Sequence, residues 1–174
     1  MANKYGGGSK TNEVGLKFEQ ETSLSDALAL ASKNGVELSP DGFVLKFKKK
    51  IGYLASKNAL YKKFLDGIAL EGVISKKLLP DDAFVNIEQK ILYIIEKKFQ
   101  HRAGSVDEKL QTCDFKLKQY TKLANLKGYS VIYVYVLNEW FKQEQYKDVL
   151  EYIRSVGCDY FFSGLPIEYL GINI

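Results

Sequence analysis

The sequence predicts a single α/β domain with a mixed central sheet flanked by helices. Three observations predict it. Strand-like segments at residues 79–86, 91–99 and 129–137 alternate with helical patterns at 105–124 and 147–156, which is the order expected of layered α/β folds. The run Ile91-Leu92-Tyr93-Ile94-Ile95 is apolar at every position, so both of its faces are buried and it belongs at the centre of a sheet. The length of 174 residues suits one domain with one core, and a hydrophobic fraction of 46% fills it.

The elements follow in order. Residues 1–11, with Tyr5-Gly6-Gly7-Gly8-Ser9, form a flexible N-terminus ahead of a domain spanning 12–174. Asn12 caps a helix through Val14, Phe18 and Glu19. Ser23 or Ser25 caps a second helix over 24–33, which Asn34-Gly35 stops. Ser39-Pro40-Asp41-Gly42 is a turn. Phe43, Leu45 and Phe47 alternate with Val44, Lys46 and Lys48, the pattern of a half-buried strand. Residues 58–64 form a short helix with Leu60 and Phe64 on one side. After the strands 79–86 and 91–99, Ser105-Val106-Asp107-Glu108 matches a capping box and opens a helix to about Ala124. Residues 129–137 are a buried strand. The segment 147–156 is an amphipathic helix closed by Gly157, and 159–162 is a last short strand.

Composition narrows the chemistry. One histidine and two cysteines without C-x-x-C spacing cannot assemble a zinc site. Cys113 and Cys158 are expected to be reduced, buried thiols. No apolar run is long enough for a signal peptide core or a membrane span, so the expected location is cytoplasmic, with no membrane partner. The net charge is only +4, but residues 42–65 hold seven lysines and no acidic residue. Such a block is either a phosphate footprint or a solvated face.

The chemistry sits on the hairpin formed by 79–86 and 91–99. A connection over residues 87–90, centred between Glu88 and Gln89, pairs residues whose numbers sum to 177. Asp81 then lies opposite Glu96, with Cβ atoms about 5 Å apart. Two carboxylates that close repel unless a cation lies between them. Lys98 is two residues from Glu96 and faces the same way. Asp82 points to the opposite face unless a bulge exchanges it with Asp81. Hard carboxylate oxygens at this spacing suit Mg²⁺, with Mn²⁺ as a substitute.

Pro80-Asp81, then Glu96-Lys97-Lys98 on the neighbouring strand, resembles the PD-(D/E)XK nuclease superfamily. The element order from Asn12 to the 129–137 strand resembles its αβββαβ core, and the chain is most similar to small type II restriction endonucleases. The resemblance covers about residues 12–162. It implies that Asp81 and Glu96 bind metal together with the Lys97 carbonyl, that Lys98 is the active-site lysine, and that a glutamate of the first helix joins them. Glu19 matches that position best and Glu13 second.

Beyond the hairpin, Gln100, His101, Arg102 and Ser105 occupy the loop that leads into the capped helix, where helix N–H groups favour phosphate. Lys109 and Gln111 lie near the start of that helix, and all six are candidate DNA contacts. Lys116, Lys118 and Lys122 are expected on a solvated face. Tyr133 and Tyr135 are expected in the core or an interface, and Trp140 in packing or a subunit contact. The expected function is a Mg²⁺-dependent endonuclease, a type II restriction enzyme that cuts double-stranded DNA at a short specific sequence as a homodimer. A junction or repair nuclease on the same core, and an inactive DNA-binding module, are the alternatives.

Overall fold

The computed structural model describes residues 22–102 and 106–173. Helix α1 (Leu24–Leu30) runs into a 3₁₀ turn (Ala31–Asn34), and Gly35 ends it in the left-handed conformation, φ 76°. Seven strands follow: β1 (Val36–Leu38), β2 (Phe43–Lys46), β3 (Lys49–Leu54), β4 (Asp82–Asn86), β5 (Ile91–Lys98), β6 (Ser130–Leu137) and β7 (Asp159–Phe162). They lie side by side in chain order in one sheet. β1 to β5 form an antiparallel meander, whereas β5, β6 and β7 run parallel. Parallel neighbours require crossovers. These are α2 (Val106–Leu110) with α3 (Cys113–Asn125), and then α4 (Lys147–Ser155). The chain is thus an α/β domain with a mixed sheet, as its sequence predicts.

Each face of the sheet has its own core. On the front, Ala83, Val85, Leu92, Ile94, Tyr133 and Tyr135 pack against α3, α4 and the turn Leu60–Phe64. On the rear, Phe84, Tyr93, Ile95, Val134 and Val136 pack against α1 and a C-terminal 3₁₀ turn, Ile167–Leu170. β5 is buried on both faces, which explains its unbroken apolar run.

Three local differences from the sequence reading have physical causes. β1 and β3 were not expected. In β3 a bulge interrupts the pairing with β2 between Val44 and Leu45, and Ile51 turns to the rear core out of alternation. Gly52 sits where a Cβ would strike the Phe84 ring and the Val85 carbonyl, so the strand lacks a readable period of two. The helix expected over 58–64 is a single π-helical turn, Leu60–Phe64, closed by the Leu65 N–H on the Leu60 carbonyl at 3.0 Å, with Leu60 and Phe64 both buried. The helix expected over 105–124 is broken. The Thr112 hydroxyl donates to the Lys109 carbonyl at 2.7 Å, and Thr112 then stands at the N-cap of α3.

The segment 1–11, the helix from Asn12, Glu13, Glu19 and Ser105 lie outside the described residues. Among the described residues, no helix is long and apolar enough to cross a membrane. Cys113 and Cys158 are free thiols in the front core. Trp140 packs inward, its indole N–H donating to the Tyr146 hydroxyl at 2.7 Å.

Candidate active site

The β4–β5 hairpin determines the geometry. Its observed pairs run from Asp82↔Ile95 to Asn86↔Ile91, so partner numbers sum to 177 throughout, as the sequence reading requires. Glu88-Gln89 is a poor two-residue turn, but the connection spans four residues. Asn86 Oδ1 stabilises it by accepting the N–H groups of Glu88 at 3.1 Å and Gln89 at 2.9 Å. Lys90 closes it at φ 53°.

At the far end of this hairpin the charged side chains converge on the front face. Pro80 is buried, and its carbonyl accepts the Lys57 N–H at 2.9 Å. Asp81 follows, one residue beyond the last ladder pair, and its Oδ2 accepts the Lys97 N–H at 2.8 Å. Lys98 Nζ bridges the two carboxylates, 2.9 Å from Glu96 Oε2 and 3.7 Å from Asp81 Oδ2. It also donates to the Lys97 carbonyl at 3.0 Å. Asp81, Glu96 and the Lys97 carbonyl therefore surround the Lys98 ammonium. Asp82 points to the rear, where it pairs with Lys97 Nζ at 2.7 Å.

The donor set suits a hard divalent cation. Two carboxylates and a carbonyl already share one positive charge, and Mg²⁺ takes one or two protein carboxylates, completing its shell with waters and phosphate oxygens. Among the described residues no group of three His, Cys, Asp or Glu side chains is close enough to form an all-protein cage.

Lys116 is the residue that sequence reasoning missed. Expected on a solvated face, it instead brings its Nζ to 3.1 Å from Glu96 Oε2. Glu96 thus holds two ammonium groups on one oxygen while its side chain is only 6% exposed. The hydrophobic wall around it comes from Tyr120, Tyr133 and Tyr135, all fully buried. Burial raises the pKa of each of the three phenols, and the negative charge of Glu96 raises it further. The Tyr120 and Tyr133 hydroxyls have no hydrogen-bond partner among the described residues.

The candidate DNA contacts divide into two groups. His101, Arg102, Lys109 and Gln111 are exposed. Gln100 is buried, and its backbone is locked by Asn138, with N–H to Oδ1 at 3.1 Å and carbonyl to Nδ2 at 2.7 Å. It anchors the loop where it leaves β5. The lysine block at 42–65 is partly engaged in tertiary ties. Lys46 bonds the Asn173 carbonyl, Lys63 the Asp41 carbonyl, and Lys49 pairs with Glu88. Tyr133 and Tyr135 are core residues, as expected.

No family model, curated protein or solved structure matches the chain.

Proposed function

We propose that the chain is a Mg²⁺-dependent DNA endonuclease of the PD-(D/E)XK type, a small type II restriction enzyme that hydrolyses double-stranded DNA at a specific short sequence. The observation that carries this reading is the hairpin register, with Asp81, Glu96 and Lys98 on one face and Lys98 bridging both carboxylates. The surrounding topology supports it: three antiparallel strands, a helical crossover and a parallel strand follow one another from β3 to β6.

Asp81, Glu96 and the Lys97 carbonyl would hold the cation, with Glu19 as a further carboxylate. When bound, the cation polarises a phosphoryl oxygen and acidifies a coordinated water. The chain's own residues do the rest. The Lys97 N–H orients the Asp81 carboxylate. Lys116 fixes one oxygen of Glu96 and leaves the other for the cation. Lys98 stands between the carboxylates, where its ammonium offsets charge that develops on the phosphate or holds the attacking water. The tyrosine wall keeps the inner side of Glu96 dry on the front face, which strengthens each of these interactions.

Arg102 and Lys109 are suited to phosphate oxygens, and His101 and Gln111 to phosphate or base edges. A palindromic site would be read by a twofold homodimer. The test is to incubate the protein with plasmid and phage DNA and Mg²⁺, then sequence the ends. Discrete fragments with a shared end sequence are expected. Cutting confined to branched DNA would replace restriction with a structure-specific nuclease, and binding without cutting would replace both with an inactive module.

A further inference from the structure

β4 and β5 carry charge on both faces at the same level of the sheet. Asp81, Glu96 and Lys98 face the front, and the interleaved Asp82 and Lys97 face the rear. The rear pair is well shielded, with Lys97 and Asp82 side chains 5% and 17% exposed. Their Nζ and Oδ2 lie 2.7 Å apart, the length of a charge-assisted bond.

Three further contacts give this pair a reach beyond itself. Asp82 Oδ1 accepts the Ser56 hydroxyl at 3.0 Å, and Ser56 Oγ in turn accepts the Ala83 N–H at 3.4 Å. Asp82 Oδ2 accepts the N–H of Leu24, the first residue of α1, at 3.4 Å. One carboxylate thereby joins β5, the segment after β3 and the start of α1.

Lys97 connects the two faces. Its side chain holds Asp82 at the rear. Its N–H holds Asp81 Oδ2 at the front, and its carbonyl receives Lys98 Nζ. Asp81 lies outside the ladder, which ends at Asp82↔Ile95. Its approach to Glu96 therefore depends on its bond to the Lys97 N–H and on its two flanking residues, Pro80, held by the Lys57 N–H, and Asp82.

We propose that Asp82 and Lys97 form a rear clamp that positions Asp81 and the Lys97 backbone to receive a divalent cation at the front. They are positioning residues and supply no side-chain ligand. The clamp rests on the metal-site reading above, and it assigns a task to the two charged side chains that reading leaves unused. Supporting groups behind metal ligands change metal affinity about 10- to 100-fold when removed.

Mn²⁺ binding to the full chain, followed by the electron paramagnetic resonance signal of free Mn²⁺, tests the clamp without relying on cleavage. Asp82→Asn keeps volume and the Ser56 bond and removes the charge. Lys97→Met removes the ammonium, and Lys97→Arg keeps a cation. The wild type is expected to bind Mn²⁺ and Asp81→Ala to lose binding. Asp82→Asn and Lys97→Met should weaken it about 10-fold or more, and Lys97→Arg should stay near the wild type. In cleavage assays the two weakened variants should regain rate at high metal concentration with KM for DNA unchanged. Wild-type Mn²⁺ affinity in Asp82→Asn and Lys97→Met, with Asp81→Ala dead, would overturn the clamp and leave the metal site standing. Equal weakening in Lys97→Arg and Lys97→Met would also overturn it, because charge would then not be what matters. A wild type that binds no Mn²⁺ would overturn the metal-site reading and the clamp together.

Discussion

Glu96→Gln separates the charge of the buried cluster from its shape. The substitution is nearly isosteric, yet it removes the anion that holds Lys98 at 2.9 Å and Lys116 at 3.1 Å. A hydrogen bond to a charged group contributes about 1.5–3 kcal/mol when buried. Glu96 is 6% exposed, but Lys98 and Lys116 are 13% and 24% exposed, so each bond belongs at the low end of that range. Loss of repulsion between the Glu96 and Asp81 carboxylates returns about 1 kcal/mol, since Asp81 is partly solvated. The net loss is about 2–3 kcal/mol, or a fall in Tm of about 4–12 °C for a chain of this size. Urea unfolding of wild type and variant at pH 7 measures it. Adding Mg²⁺ provides a second arm: at one hundred times its Kd a ligand raises stability by about 2.7 kcal/mol, and only the wild type should gain. A loss below about 0.5 kcal/mol, the range of an exposed substitution, would refute the buried three-charge cluster.

Two further outcomes concern the framework. The raised phenols of Tyr120, Tyr133 and Tyr135, with Tyr53 pushed up to about 12, stay neutral in the fold while an unfolded chain ionises near pH 10. Above pH 10 the unfolded state therefore binds fewer protons, and stability must fall as pH rises. Absorbance at 295 nm should show these four tyrosines titrating above pH 10, with the three at the site ionising only as the chain unfolds. Gly52→Ala forces a Cβ against the Phe84 ring and the Val85 carbonyl. It should cost about 1–3 kcal/mol in denaturant unfolding, and an unchanged midpoint would contradict the close packing of β3 on β4.

The hairpin was legible because two independent signals agree on it. The apolar run of β5 marks a strand buried on both faces, and a four-residue connection leaves one symmetric register. That register carries Asp81, Glu96 and Lys98 to one face and Asp82 and Lys97 to the other. Lys116 was not legible, because Lys116, Lys118 and Lys122 look alike along one apparent helix. The break at Thr112 resets the helical phase and turns Lys116 inward, and it depends on a side-chain-to-backbone hydrogen bond that periodicity does not show. β3 was hidden for a similar reason. Its Lys49-Lys50 start resembles solvated charge, and the Ile51 bulge destroys alternation one residue before Gly52 removes a side chain altogether. Packing of Phe84 against Gly52 makes it a strand, and that contact lies more than thirty residues away in the chain.

The central claim is that Asp81, Glu96 and Lys98 form one phosphodiester-hydrolysing site. Mg²⁺-dependent cleavage of plasmid DNA by the wild type, Asp81→Ala and Lys98→Ala, with folding of each verified by circular dichroism, tests it most directly. The account predicts cleavage by the wild type and a loss of at least about 100-fold in each folded variant. Cleavage at the wild-type rate by either variant, or none by the wild type in Mg²⁺ or Mn²⁺, would contradict it.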